Sequence, residues 1–231
     1  SVTALSGVQS DRISAALRRP AERLAQEAES TRVKLSAFGQ AQSATAAVQT
    51  ASRTLQDARQ VSTAADAKAA AEAFVQAYNG ERAALSNAAG NGAAAVPEGA
   101  RASIAASQLE RVVADNATAF RDAGIRIQQD GSLTVDAKAL ESAYATNPSA
   151  VTQALGAVGR AAEATATRQL GSNGSIGAAV NNLNTRLQQL ETRQEDVRTR
   201  SDESQRAVEA AARRYGFGAV GAGAYLGIFG L

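Results

Sequence analysis

Apolar residues in the C-terminal part of the chain recur at alternating spacings of four and three, which is the pattern of a coiled-coil helix. This spacing predicts one long helix over residues 176–215, with a narrow apolar seam that faces a partner helix. Polar Gln194, Ser201 and Ser204 at seam positions weaken packing and favour a role in register or partner choice. The seam positions are Ile176, Val180, Leu183, Leu187, Leu190, Gln194, Val197, Ser201, Ser204, Val208, Ala211 and Tyr215.

A second seam lies near the N-terminus and continues after Gly39, one stammer out of phase. Pro20 fits poorly inside a helix, so we expect either a kink there or a helix that begins at Pro20. We therefore expect an antiparallel terminal coiled coil in which residues 24–55 pack on residues 176–208. The alternative is two separate coiled-coil arms. The N-terminal seam positions are Ile13, Leu17, Ala21, Leu24, Ala28, Thr31, Leu35, Phe38, Ala41, Thr45, Val48, Ser52 and Leu55.

Two further helices are predicted between the seams, over residues 64–85 and 100–120. The first carries Phe74, Val75 and Tyr78 on its apolar side. The second carries Ile104, Leu109, Val112, Val113 and Phe120.

Residues 124–136 replace the helical pattern with the alternation of a small β-hairpin. Asp130-Gly131 supplies a tight turn with positive φ between the two strands. The alternating apolar positions are Ile125, Ile127, Leu133 and Val135.

Asp136 is placed to cap a helix that ends before Asn147-Pro148, where a new short helix can begin. Residues 156–174, which include Gly171-Ser172-Asn173-Gly174, look like a loop or a fraying helix. The apolar residues of the two helices are Leu140, Tyr144, Val151 and Leu155.

Composition argues against most catalytic and metal chemistry. The 231 residues include no Cys and no His, which removes thiol nucleophiles, imidazole bases and the usual zinc, copper and haem ligands. With 4% aromatic residues and no Trp, long packed helices are favoured over a round domain. The 24 basic and 22 acidic residues are interspersed, which argues against a nucleic-acid binder. We therefore expect that the protein is not an enzyme and that it has neither a cofactor nor a metal site.

Residues 216–231 carry no charge and combine glycines with large apolar side chains. The segment is shorter than the roughly 20 residues that a membrane-spanning helix needs. An exposed apolar tail normally finds a partner surface, so we expect burial between subunits, with membrane contact and disorder as alternatives.

The order of hairpin, capped helix, Asn-Pro break and apolar helix in residues 124–151 resembles the flagellar filament-capping proteins, the hook-associated protein 2 family. Residues 74–79, Phe-Val-Gln-Ala-Tyr-Asn, look like the helix that opens the family's second conserved block. Further matching segments are residues 11–17, 20–24, 34–39 and 175–191, and the pair Tyr225-Leu226.

One departure limits what the resemblance implies. The family carries large β-rich plate domains before the helix that matches residues 74–79, whereas only residues 56–72 fill that interval here. The glycine-rich ending also differs from the polar family ending. What remains corresponds to the leg and the terminal coiled coils, the parts that contact neighbouring subunits.

We therefore expect a mainly α fold with a long antiparallel terminal coiled coil and a small helical insert that carries one β-hairpin. The expected regions are an N-terminal coiled-coil region (1–60), a leg-like region (61–174) with the hairpin at 125–135, a C-terminal coiled-coil helix (175–215) and an apolar assembly tail (216–231).

The expected function is that of an extracellular structural protein of the bacterial flagellum that self-assembles as a reduced cap-like, filament or sheath subunit. The expected partners are further copies of the chain, with flagellin or a flagellar filament as a candidate; neither nucleic acid nor a membrane is expected. The alternative is a secreted helical effector or translocator whose apolar C-terminal tail contacts a membrane. The expected assembly interface is formed by Ile13, Leu17, Leu24, Leu187, Leu190, Phe217, Val220, Tyr225, Leu226, Ile228 and Phe229.

Overall fold

The described part of the chain is mainly helical and carries one two-stranded hairpin, so the mainly α fold with one hairpin is confirmed. The computed structural model describes residues 2–90 and 97–214, and it describes side chains at 19–90, 97–204, 206, 207 and 210. The elements are α1 (Val2–Gln56), α2 (Ala64–Gly90), α3 (Pro97–Asp115), α4 (Ala117–Asp122), β1 (Ile125–Ile127), β2 (Leu133–Val135), α5 (Ala137–Thr146), α6 (Pro148–Leu170) and α7 (Ser175–Arg214).

The described residues divide into two compact units. The first unit joins the part of α1 up to Arg32 with the part of α7 from Thr185 onwards. The second unit, Val33–Asn184, holds the rest of α1, the hairpin and the intervening helices.

Helix α1 passes through Pro20 without ending, so the expected start at Pro20 is wrong. Pro20 removes only one backbone N–H donor. The helix continues because its other hydrogen bonds, over 55 residues, remain. The stammer near Gly39 is confirmed, because the seam positions Leu35, Phe38 and Ala41 follow one another at two successive spacings of three residues. The buried seam residues are Ala28, Thr31, Phe38, Ala41, Thr45, Val48, Ser52 and Leu55, and Leu35 is half-buried.

The helix predicted over residues 100–120 is two helices, α3 and α4, separated at Asn116. The Asn116 side chain donates to the carbonyl of Val112 at 2.8 Å, a local bond that competes with continuation of the helix. Of the apolar residues that the sequence assigned to this stretch, Ile104 is 52% exposed. The buried stripe of α3 instead follows Ala102, Ala105 and Leu109.

Helix α6 extends to Leu170, so of the two expectations for residues 156–174, a loop or a fraying helix, the loop is wrong before Gly171. Gly159 explains the difference. A Cβ on Gly159 would lie 2.5 Å from the Ser52 carbonyl oxygen and 3.1 Å from the Leu55 Cβ. The glycine therefore serves close packing of α6 on α1 instead of ending the helix.

The core of the second unit is one large apolar cluster shared by the insert helices, α1 and the hairpin. The Phe74 ring lies 6.1 Å from the Phe120 ring and 6.3 Å from the Tyr78 ring, between centroids. A smaller cluster contains Ala37, Phe38, Ala88, Ala102, Ala179 and Leu183.

The predicted hairpin is confirmed, with Ile125 opposite Val135 and Ile127 opposite Leu133. Gly131 takes φ +79°, and its N–H donates to the Gln128 carbonyl at 2.9 Å to close the turn. Gly124 takes φ +70° where the hairpin meets α5, and a Cβ there would lie 2.7 Å from the Leu140 Cβ. Both glycines are therefore required by the backbone.

Candidate assembly interface

Three of the expected interface residues have described side chains. Leu24 and Leu187 are half-buried, whereas Leu190 is only 3% exposed. The Leu190 position is therefore filled by packing within the chain itself. Ile13 and Leu17 lie in α1, but their side chains fall outside the described part of the chain, as do residues 217–229 altogether. The interface as a whole stays a prediction.

An ion pair joins the two terminal helices in the first unit. Arg32 Nη2 donates to Glu191 Oε1 at 3.0 Å, and about half of each side chain is exposed. An exposed pair of this kind contributes about 0–1 kcal/mol, so it helps to set the pairing without dominating the stability.

Apolar burial is sparse among the described side chains of the first unit. Its buried positions include Ala28, Thr31 and Leu190, of which only Leu190 is large and apolar. The Thr31 hydroxyl donates to the Glu27 carbonyl at 2.7 Å, which satisfies it within the seam. The described side chains of these two helices therefore form little core of their own.

Seam residues of the first unit remain half-buried along both helices. Leu24 on α1 and Leu187 and Val197 on α7 keep part of their apolar surface accessible. Gln194 and Ser201 are also half-buried at seam positions. A further helix can pack on this surface. Coiled-coil oligomers associate through apolar seam residues of this kind.

In the second unit, the C-terminal part of α1 packs on α6 through a line of polar contacts. Arg53 Nε donates to Glu163 Oε1 at 2.7 Å, and Gln56 Nε2 donates to Glu163 Oε2 at 2.7 Å. Gln49 Nε2 donates to Thr167 Oγ1 at 2.8 Å, so the two helices run antiparallel. The hydrogen bonds from Arg53 and Gln56 lower the pKa of Glu163.

This contact corrects only the C-terminal part of the expected pairing of residues 24–55 with residues 176–208, since Arg32 pairs with Glu191 and Phe38 clusters with Leu183. Residues 49–56 pack on α6, which the sequence did not predict as a long helix. The alternating apolar spacing in α1 identifies a buried face, but it does not distinguish between two partner helices that follow one another along the chain.

Helix α2 holds the hairpin by two side chains one turn apart, whose role the sequence did not reveal. Asn79 Nδ2 donates to the Leu133 carbonyl at 2.9 Å, and Asn79 Oδ1 accepts from the Leu133 N–H at 2.9 Å. Arg82 Nη2 donates to the Asp130 carbonyl in the turn at 2.5 Å. Phe-Val-x-x-Tyr-Asn is thus a structural motif whose asparagine fixes a strand edge.

The turn and the strand ends are ordered by carboxylates. Asp130 Oδ1 accepts from the Ser132 hydroxyl at 2.6 Å and the Ser132 N–H at 2.9 Å, and these bonds lower the pKa of Asp130. The predicted cap is confirmed, because Asp136 Oδ1 accepts from the Ala139 N–H at 3.1 Å. The bond from Ala139 is the largest cause of a lowered pKa of Asp136. The positive charge of Arg126, which forms an ion pair with Asp136, lowers this pKa further.

An open groove lies where α3, the C-terminal end of α6 and the start of α7 meet. Its volume is about 600 Å³, and Arg101, Ile104 and Arg168 contribute to its lining.

Within the described side chains, no cluster of acidic residues could hold a metal ion. None of the described helices has the length and apolar character needed to cross a bilayer.

Comparison with known families identifies the family of this chain. The family model for the flagellar hook-associated protein 2 C-terminus matches residues 48–212. The match starts within α1 and ends within α7, so it covers the whole insert with its hairpin. No curated protein and no solved structure matches the chain.

Proposed function

Since the chain belongs to the flagellar hook-associated protein 2 family, a group of structural proteins of the flagellar cap, we propose that it self-assembles through its terminal helices. Proteins of this family form oligomeric caps on flagellar filaments. We infer that this chain acts outside the cell at the flagellum, as a reduced cap-like, filament or sheath subunit. Its partners are then further copies of itself and flagellin or the flagellar filament.

The half-buried seam of the first unit carries this proposal. Leu24, Leu187 and Val197 leave apolar surface accessible on two helices whose described side chains in this unit include few large buried ones. Full burial of a Leu or Val side chain contributes about 1.5–3 kcal/mol, so completing the burial of several half-buried ones supports association. Further helices from neighbouring copies would supply the missing surface.

The chain ends extend the same proposal. Residues 216–231 are uncharged and carry Phe217, Val220, Tyr225, Leu226, Ile228 and Phe229. Together with Ile13 and Leu17, they would form the apolar core between subunits. Ordering so many glycines costs conformational entropy, which neighbouring subunits must offset by burying these side chains.

The insert has a supporting role in this proposal. Asn79 and Arg82 bind the hairpin to α2, which gives the insert a fixed surface. We propose that residues 61–174 act as the leg-like region of the subunit and that residues 216–231 act as its assembly tail.

A second candidate function rests on the uncharged tail alone. An apolar segment of this kind can also contact a lipid surface, as in a secreted helical effector or translocator. Deleting residues 216–231 tests both functions, with the full-length chain as control. Under the proposal, negative-stain microscopy shows rings or filaments only for the full-length chain, while the truncated chain stays folded and helical.

Two results would contradict the role given to the tail. If the truncated chain formed the same assemblies, the tail would not be the assembly element. If full-length protein bound liposomes and the truncated protein did not, with assembly unchanged, the effector function would replace the structural one.

A further inference from the structure

A buried carboxyl lies between α1 and α2. Glu81 on α2 is 0% exposed, and its Oε1 lies 2.8 Å from the Thr45 hydroxyl on α1. Its other oxygen, Oε2, is buried without a hydrogen-bond partner. A buried acceptor without a partner costs free energy, more so when the group is charged.

The Thr45 hydroxyl has one proton and two acceptors within reach. It lies 2.9 Å from the Ala41 carbonyl as well as 2.8 Å from Glu81 Oε1. If Glu81 is ionised, Thr45 can donate to only one of them. If Glu81 carries a proton on Oε1, Glu81 donates to Thr45 and Thr45 donates to Ala41, so both bonds form.

The groups around Glu81 do not compensate a negative charge. On α2, the titratable residues within one turn of Glu81 are Tyr78, whose pKa burial raises to about 12, and Arg82, which donates to the Asp130 carbonyl. On α3, Glu110 is a like charge that acts on Tyr78. Burial raises the pKa of Glu81 to about 7, against a smaller lowering by the Thr45 hydrogen bond.

Among the described side chains no cation lowers the pKa of Glu81, which responds to burial and to the Thr45 hydrogen bond alone. On α5, Glu141 pairs with Lys68 at 3.7 Å, near the start of α2. On α6, Glu163 is bound by Arg53, and β2 consists of uncharged residues.

We propose that Glu81 and Thr45 form a proton-dependent latch that holds α1 on the insert. With Glu81 neutral, the chain of bonds from Glu81 through Thr45 to Ala41 is complete and α1 is held firmly. With Glu81 ionised, the negative charge is buried on a carboxylate whose Oε2 has no hydrogen-bond partner, and this part of α1 opens more often. Proton concentration thereby sets how firmly the N-terminal helix packs on the insert.

Amide hydrogen exchange of the full-length chain tests the latch at about pH 5.5 and about pH 8, corrected for the intrinsic rate. Protection of residues 41–48 should fall on the order of tenfold or more at the higher pH. Glu81→Gln keeps the shape of the side chain without the charge, and it should lose this dependence. Glu110→Gln is the matched control and should keep it.

Carbon NMR of the Glu81 carboxyl in the unmodified chain gives a second readout that needs no variant. The latch requires titration near pH 7, the value to which burial raises its pKa. Titration in the ordinary glutamate range, or equal pH dependence of exchange in the wild type and Glu81→Gln, would overturn the proposal.

Discussion

Asn79 forms both of its amide hydrogen bonds with the backbone of one residue, Leu133, at 2.9 Å each. Leu133 lies opposite Ile127, and the neighbouring ladder bonds join Gln128 to Ser132 and Asp136 to Gly124. In an antiparallel pair the bonded and non-bonded positions alternate, so the N–H and carbonyl of Leu133 point away from β1. The asparagine thus takes the place that a third strand would fill.

Replacing Asn79 with Ala should weaken the attachment of the hairpin. The N–H and carbonyl of Leu133, a residue only 1% exposed, would lose both partners, at a cost of about 1–3 kcal/mol. Exchange of the Leu133 amide and urea unfolding measure the change. Gln76→Ala, at an exposed position one turn earlier, is the control and should have little effect. Unchanged protection of Leu133 in Asn79→Ala would refute the role of the asparagine.

Two glycines in helices should respond to alanine with opposite signs. A Cβ added at Gly80 would have no atom within 4 Å, so Gly80→Ala should stabilise by about 0.5–1 kcal/mol through helix propensity. Gly159→Ala should destabilise by about 1–3 kcal/mol, because its Cβ would lie 2.5 Å from the Ser52 carbonyl oxygen. Thermal unfolding of both variants checks the signs. A stabilising Gly159→Ala would mean that α6 does not pack this closely on α1.

These cases separate what the sequence predicts from what it does not. The hairpin was predictable because alternation and Asp130-Gly131 turn chemistry are local signals. The helix over residues 156–170 was harder to predict, because Gly159 packs closely on Ser52, which is distant in sequence. The bonds of Asn79 to Leu133 are likewise non-local, although the motif that contains Asn79 is visible in the sequence.

The terminal interface was only partly accessible to the same reasoning. Heptad spacing identified Leu24, Leu187 and Leu190 as equivalent seam residues, yet Leu190 is buried and the other two are half-buried. Spacing gives the face of a helix, whereas the depth of burial depends on which residues the neighbouring helix presents.

Stability should fall as pH rises from about 5 to about 8. The pKa of Glu81 is raised from 4.5 to about 7 in the folded chain, so its stabilising contribution is full below 4.5 and is lost as pH rises through 7. The change should be roughly 2–3 kcal/mol in the free energy of unfolding. Asp130, Asp136 and Glu163 have lowered pKa values and lose their contributions only at more acidic pH.

Urea unfolding of the wild type and Glu81→Gln across this range isolates the carboxyl. The variant should show a flatter profile and higher stability at about pH 8. Parallel profiles for the two proteins would assign the pH dependence to other groups.

The claim that the terminal helices drive assembly is tested most directly by sedimentation velocity of Leu187→Asp beside Gln189→Asp. Leu187 is a half-buried seam residue and Gln189 is exposed on the same helix, so both variants add one charge but only the first disturbs the seam. We expect Leu187→Asp to sediment as a monomer with wild-type helix content by circular dichroism, while Gln189→Asp assembles like the wild type. Wild-type assembly by Leu187→Asp would contradict the account.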